Sequence, residues 1–155
     1  MSIVLATPIF FGWAKPVPVN SRNLKNPKVD MFWIALAGPL SNVFLAIVGA
    51  ISMRLVVQFG AELSFASAML NILKVFVITN LFLAIFNMLP LNPLDGGKVL
   101  ARFLPASLNY KLEQNEHITS MILFALVLTG MLRVLSIPVF WTADLLVRTI
   151  GGGYL

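Results

Sequence analysis

Residues 68–97, AMLNILKVFVITNLFLAIFNMLPLNPLDGG, join an apolar run to a short tract rich in proline, asparagine and glycine. A helix needs about 20 mostly apolar residues to cross the hydrocarbon core of a bilayer. The run 68–89 meets that length, and so do the runs 31–59 and 118–135. The sequence therefore predicts an all-α integral membrane protein: a single bundle of about three to four transmembrane helices, with one helix broken at the proline-rich tract.

The composition of the chain also favours a membrane protein. Hydrophobic residues make up 59% of the 155 residues and charged residues only 11%, whereas soluble domains usually carry about 25% charged residues. The chain has no cysteine, which excludes disulfides and thiolate metal ligands. The formal net charge is +5, but the cations lie mostly in loops. We therefore interpret the charge as a topology signal and expect no nucleic-acid partner.

The loop charges predict an orientation in the membrane. Most lysines and arginines fall in the segments 14–30 and 90–117, whereas the loop between the first two spans contains Glu62 and no basic residue. Because cytoplasmic loops are enriched in Lys and Arg, we expect segments 14–30 and 90–117 to be cytoplasmic.

The sequence also predicts the structure of the two ends of the chain. Residues 1–13 are apolar, but as a helix they would reach only about 20 Å of a hydrocarbon core of about 30 Å. They are predicted to be either an interfacial anchor or the end of a span whose beginning is absent. A short extended element is expected at 11–19. At the other end, Ser136-Ile-Pro138 is expected to interrupt the third span, and 139–150 to form a terminal apolar helix.

Two aspartates outside the broken tract have predicted structural roles. Asp30 precedes the first span and is expected to cap it. Asp144 and Arg148 are four residues apart, so they can form an ion pair on one helix face.

One face of the first span is predicted to pack closely against another helix. Small residues and one asparagine recur there at spacings of three and four: Ala35, Gly38, Asn42, Ala46 and Gly49. Such faces allow close helix approach in lipid. Asn42 is expected to form an interhelical hydrogen bond, with a direct role at a site as the alternative, and Pro39 is expected to kink the helix.

The tract Asn87-Met-Leu-Pro-Leu-Asn-Pro-Leu-Asp-Gly-Gly97 is predicted to break the second span. Pro90 and Pro93 disfavour α conformation in the residues before them, so the tract is expected to run extended and to re-enter a helix at Asp95. Non-helical backbone at membrane depth survives only where it is buried in protein or lines a wet cavity. Asp95 is then either a helix cap or a functional carboxylate able to ligate zinc, and the residues alone leave both interpretations open.

Three segments together resemble the site-2 proteases, a family of intramembrane zinc metalloproteases. The broken tract resembles the family motif Asn-x-x-Pro-x-x-x-Leu-Asp-Gly. Phe11-Gly-Trp-Ala-Lys-Pro-Val-Pro-Val-Asn20 is similar to a cytoplasmic loop of the small bacterial and archaeal members, and Ala37-Gly-Pro-Leu-Ser-Asn42 to the segment that follows that loop. The three occur in the family's order and cover roughly residues 9 to 104.

The resemblance implies roles for the matching positions. Asp95 matches the aspartate that supplies a third zinc ligand, and Asn87 matches an asparagine that helps to hold the substrate strand. Asn42 matches an asparagine that is structural or near the site. Pro90, Pro93 and Gly96 would shape the break. The family implies peptide-bond hydrolysis in a transmembrane protein substrate, zinc in the complete member, and the plasma membrane of a prokaryote as the location.

The chain departs from the family in one respect. The other two zinc ligands and the general base of these enzymes come from a His-Glu-x-x-His helix, which this sequence lacks. The single histidine, His117, lies in a polar lead-in to the third span and is expected to be an interface residue. A zinc site for catalysis needs three protein ligands. We therefore expect no family catalytic residue in this chain, no zinc bound by it alone, and no activity without a missing N-terminal portion.

Two alternatives to an incomplete protease remain open at the level of sequence. The first is a non-catalytic membrane module that binds transmembrane segments on the same scaffold. The second is a small transporter component, because proline-interrupted spans often mark transport sites at the bilayer midplane.

Overall fold

The computed structural model describes residues 25–60 and 64–152, and every regular element within them is helical. The α-helices are α1 (Pro27–Phe59), α2 (Ala66–Asn87), α3 (Asp95–Ala101), α4 (Ala106–Gln114), α5 (Glu116–Leu128) and α6 (Ser136–Thr149), with a 3₁₀ helix at Met131–Leu135. Helices α1 and α2 are each long and apolar enough to cross a membrane, and α5 with the helices after it forms a third candidate span bent by 81°. The predicted all-α membrane fold is confirmed.

Helix α1 begins earlier than the sequence predicted. It starts at Pro27, a residue that suits the first helical position because it has no N–H to leave unpaired. Asp30 lies in the first turn, where its Oδ2 accepts a hydrogen bond from the backbone N–H of Asn26 at 3.0 Å. The prediction of Asp30 as the capping residue before Met31 was therefore wrong, although its carboxylate does satisfy a backbone donor at this helix end. The helix continues without interruption through Pro39.

Helices α1 and α2 approach each other closely along the small-residue face. Gly49 is buried, and a Cβ atom added to it would lie 2.8 Å from Val77 Cγ2 and 3.0 Å from Phe76 Cδ1, both on α2. Ala35 and Ala46 on the same face are also buried. The predicted close packing of this face is confirmed, and it leaves no room for a larger residue at Gly49.

The core lies where three helices meet. It is formed by Ala46 and Met53 of α1, Val77 and Leu81 of α2, and Val139, Ala143 and Val147 of α6. The α6 residues are spaced by four, so a single stripe of that helix covers α2. An adjoining stripe of α6, about 100° around the helix, carries the predicted ion pair, in which Arg148 Nε lies 2.8 Å from Asp144 Oδ1.

The third predicted span is broken at a different place from the one expected. Gly130 adopts a left-handed conformation with φ of 71° and ends the regular helix of α5 there. The expected break at Ser136-Ile-Pro138 is wrong because these residues form the first turn of α6, where proline costs no helical hydrogen bond. Consequently neither α5 nor α6 alone has the length of a span.

The segment between α3 and α5 contains a helix that the sequence did not indicate. Helix α4 has no buried residue, and its apolar pair Leu108 and Leu112, four residues apart, is too short a pattern to predict a helix from sequence. A hydrogen bond from Asn109 Nδ2 to Glu113 Oε1 at 3.0 Å joins adjacent turns. The expectations for 1–13 and for the extended element at 11–19 lie outside the described residues, as does most of 14–30.

Candidate functional site

The backbone between α2 and α3 forms a chain of tight turns. The N–H of Leu91 donates to the carbonyl of Leu89 at 2.7 Å, that of Leu94 to Leu91 at 2.8 Å, and that of Gly97 to Leu94 at 3.1 Å. The predicted extended run through this tract is therefore wrong. Turns give the backbone polar groups local partners, which an isolated extended segment would lack in a membrane. The prediction that a helix resumes at Asp95 is correct.

Two buried glycines allow the start of α3 to lie directly on these turns. A Cβ atom on Gly96 would overlap the carbonyl oxygens of Met88 and Leu89, and one on Gly97 would overlap Asn92 Oδ1. Because backbone atoms cannot move aside as a flexible side chain can, no other residue fits at Gly96 without a shift of the break. The glycines thus set the position of the neighbouring Asp95.

Asp95 is the first residue of α3, and the cap position before it is occupied by Leu94. Within residues 25–60 and 64–152 its carboxylate accepts no hydrogen bond, so Asp95 is not the cap of α3. Asp95 Oδ1 lies 4.0 Å from Lys98 Nζ, and the two side chains are 33% and 48% exposed. An ion pair this exposed contributes little to stability, about 0–1 kcal/mol.

The Asp95 carboxylate faces α1 at a glycine. A Cβ atom on Gly38 would lie 3.1 Å from Asp95 Oδ2, and Gly38 itself is solvent-exposed. Because residue 38 has no side chain, the carboxylate can lie directly against α1, and it remains 33% exposed. We call this arrangement of Gly38 and Asp95 the carboxylate notch.

The two asparagines predicted for the site both lie between Gly38 and Asp95 along the chain. Asn42 is one turn beyond Gly38 on α1, and Asn87 is the last residue of α2; both are half-buried. Within residues 25–60 and 64–152, neither side chain makes a hydrogen bond. The interhelical hydrogen bond expected for Asn42 is therefore not found among these residues. The site roles of both asparagines, like those of Pro90 and Pro93 in the turns, stay predictions.

A buried asparagine that the sequence analysis did not single out lies in α2. Asn80 is 7% exposed, and its Nδ2 donates to the carbonyl of Phe76 at 2.8 Å within the same helix. The signal for it was the polar pair Thr79-Asn80 inside an apolar run. Because its amide is satisfied within α2, we assign it a structural role.

The described residues do not fit a zinc ion. A catalytic zinc site needs three protein ligands, and within 25–60 and 64–152 no group of three or more His, Cys, Asp or Glu side chains could hold a metal. His117 is exposed at the start of α5, and the neighbours of Asp95 are a glycine and a lysine. Asp95 alone offers only one carboxylate.

Comparison with known proteins identifies the class. The model of peptidase family M50 matches residues 52–130, just over half of the chain, and this region includes the turns and Asp95. The chain is 36% identical over 108 residues to "Putative zinc metalloprotease YwhC" of Bacillus subtilis (strain 168), covering 68% of this chain and 49% of that protein. It is 51% identical over 67 residues to "Putative zinc metalloprotease MJ0611" of Methanocaldococcus jannaschii, covering 43% and 31%.

The chain therefore belongs to peptidase family M50, the site-2 proteases, and it is an integral membrane protein. It spans about half the length of YwhC and about a third of the length of MJ0611. No solved structure matches it. The family implies zinc in its complete members.

Proposed function

We propose that this chain provides the aspartate side of a site-2-type intramembrane zinc protease and does not cleave peptides by itself. The observation that carries the proposal is the carboxylate notch, in which packed turns and two buried glycines hold Asp95 against Gly38 of α1. The turns and Asp95 lie within the region that matches the family. An isolated capping aspartate would not require such a precise backbone arrangement.

The donor set indicates what the chain lacks for catalysis. Asp95 supplies one carboxylate, and the 155 residues contain a single histidine and no His-Glu-x-x-His sequence. We propose that the remaining ligands and the general base come from a segment outside these 155 residues. The accessible side of the notch, at Gly38, is where such a segment would reach Asp95.

The proposed substrate is a transmembrane protein whose helix unwinds beside the notch. Unwound backbone in a membrane needs hydrogen-bonding partners, and the side-chain amides of Asn42 and Asn87 offer both donors and acceptors. Their half-buried positions, with Asn42 one turn beyond Gly38 on α1 and Asn87 at the end of α2, support this role. The proposed location is the plasma membrane of a prokaryote, with residues 90–117 on the cytoplasmic side.

Complementation tests the proposal. The chain would be purified alone and also after co-expression with a His-Glu-x-x-His segment from a complete family member, and cleavage of a model transmembrane substrate would be followed by mass spectrometry. We expect cleavage only in the complemented sample. Asp95→Asn should reduce it at least about hundredfold, because even outer-shell changes at metal sites cost about 10- to 100-fold.

Asp144→Asn is the matched control for that substitution. It removes a carboxylate from the exposed pair with Arg148 on α6, and cleavage should be unchanged. Cleavage by the chain alone, or full activity of the complemented Asp95→Asn variant, would contradict the proposal.

A second candidate function is a non-catalytic module that binds transmembrane segments. It is favoured by the mismatch between the described donor set and zinc. It predicts that the chain alone retains a transmembrane peptide on co-purification and that Asp95→Asn leaves this binding unchanged. Zinc bound in stoichiometric amount and lost in Asp95→Asn would contradict it.

A further inference from the structure

A cavity of ≈ 400 Å³ lies beside the turns and is lined by Asn92 and Pro93 together with residues of α1, α3, α4 and α5. The basic and acidic side chains that line it come from different helices. The basic side chains, Lys28, Lys98 and Arg102, come from α1 and α3, and the acidic ones, Glu113 and Glu116, come from α4 and α5. Because α1 packs on α3 and α4 on α5, the cavity has one basic wall and one acidic wall.

The cavity lies at the depth expected for lipid headgroups. It includes residues of the first turns of α1, after which the helix is apolar and exposed. Trp33 and Phe103 are 59% and 70% exposed, and both rings contact Phe32 edge-on, at centroid distances of 5.2 and 6.0 Å. Exposed tryptophan such as Trp33 is typical of the membrane–water interface.

The basic wall is suited to a phosphate group. Arg102 is held over the ring of Phe32, with its Cζ 5.1 Å from the ring centroid, so its donors are oriented in advance. In the part of the chain that the structure describes, neither Lys28 nor Arg102 has a carboxylate within ion-pair distance. A guanidinium binds phosphate oxygens through two parallel hydrogen bonds.

The acidic wall is suited to a primary ammonium group. Glu113 Oε1 accepts one hydrogen bond from Asn109, which leaves most of its acceptor positions available. Neither Glu113 nor Glu116 is paired with a lysine or arginine among residues 25–60 and 64–152. A headgroup with a phosphate alone would bring its negative charge near these two carboxylates without compensation.

We propose that this cavity binds the phosphoethanolamine headgroup of a phospholipid. The phosphate lies against Lys28 and Arg102, and the ammonium donates hydrogen bonds to Glu113 and Glu116. A choline headgroup has no N–H to donate to the acidic wall, and a glycerol headgroup has no positive charge for it. The site is therefore selective for phosphatidylethanolamine over phosphatidylcholine and phosphatidylglycerol.

Native mass spectrometry of the delipidated full chain tests this selectivity. Short-chain forms of the three lipids would be added at equal concentration. We expect phosphatidylethanolamine to bind about tenfold more tightly than either competitor, the effect of one or two charge-assisted hydrogen bonds. Equal binding of the three lipids, or preference for phosphatidylglycerol, would overturn the proposal.

Charge-removing variants test the two walls separately. Arg102→Gln should weaken phosphatidylethanolamine binding about tenfold, and Lys28→Arg should retain it. The double variant Glu113→Gln and Glu116→Gln should lose the preference over phosphatidylglycerol. Lys111→Gln, a neutralised cation on α4 that does not line the cavity, is the matched control and should bind as the parent does.

The comparison of lipids within one variant keeps the test valid if overall affinity changes. If the ratio of the affinities for phosphatidylethanolamine and phosphatidylglycerol is unchanged in the double glutamate variant, the proposed role of the acidic wall is wrong, whatever the absolute affinities. Soluble phosphoethanolamine identifies the source of the ligand. Displacement of the lipid by millimolar phosphoethanolamine would support recognition of the headgroup alone, and failure to displace it would support recognition of the whole lipid.

Discussion

The two breaks in this bundle are stabilised in different ways. Between α2 and α3, the buried Gly96 packs against backbone carbonyls, and α3, which begins there, packs against α1. Between α5 and α6, Gly130 is left-handed, and a Cβ atom there would meet only Arg133 Nε, at 3.7 Å. The first break depends on the close packing that a glycine at residue 96 allows. The second depends on the left-handed backbone conformation of residue 130. Precise positioning of a side chain requires the first kind, and Asp95 is found there.

The largest effect is expected from Gly96→Ala. The added methyl group would overlap the carbonyl oxygens of Met88 and Leu89, which cannot move without displacing the turns. We expect a loss of about 3 kcal/mol in the free energy of unfolding, at the upper end of the range for overpacking. Unfolding of the purified protein in mixed detergent micelles, followed by circular dichroism, measures it.

Gly38→Ala is the matched control for that substitution. Its methyl group would lie 3.1 Å from Asp95 Oδ2, the end of a side chain that can rotate, so the loss should be well below that of Gly96→Ala. Equal losses for the two variants would show that the first break is not held by its packing.

A smaller effect is expected from Gly130→Ala. The space at residue 130 is open, so the only cost is the left-handed conformation, about 1–2 kcal/mol for a residue with a Cβ atom. Gly130→Asn should recover part of the loss because asparagine tolerates this conformation better. The same unfolding titration measures both. A loss as large as that of Gly96→Ala, with no recovery in the asparagine variant, would contradict the distinction between the breaks.

The smallest effect on stability is expected from Asp95→Asn. The carboxylate is partly exposed, its contact with Lys98 is long, and it caps no helix. The free energy of unfolding should change by less than about 1 kcal/mol. A loss of several kcal/mol would mean that Asp95 is a structural residue and would remove the basis for placing it at a functional site.

The apolar runs and the prolines were enough to predict the spans and the existence of the first break. The family motif indicated Asp95. The turn conformation of residues 88–94 could not be predicted, because it depends on contacts between Gly96 and backbone atoms of Met88 and Leu89. Pro90 and Pro93 exclude a helix but are compatible with both extended and turn conformations.

The errors in the third span have a related cause. Proline at position 138 was a strong breaker signal, but its effect depends on whether it falls in the first turn of a helix. Gly130 gave the weaker signal, because glycine is tolerated inside a helix at a cost of about 1 kcal/mol. Helix α4 offered only the short apolar pair Leu108 and Leu112, which is too little to predict a helix. In each case the deciding information was the helix start or a tertiary contact.

The position of Asp95 against α1 is the premise of the whole account, and disulfide cross-linking tests it directly. The chain contains no cysteine, so the double variant Gly38→Cys and Asp95→Cys can be oxidised without background. The control pairs Ser52→Cys with Asp95→Cys, since Ser52 lies about 21 Å farther along α1. We predict that the first pair forms an intramolecular disulfide under mild oxidation and that the control does not. Failure of the first pair to cross-link, or equal cross-linking of both pairs, would contradict the account.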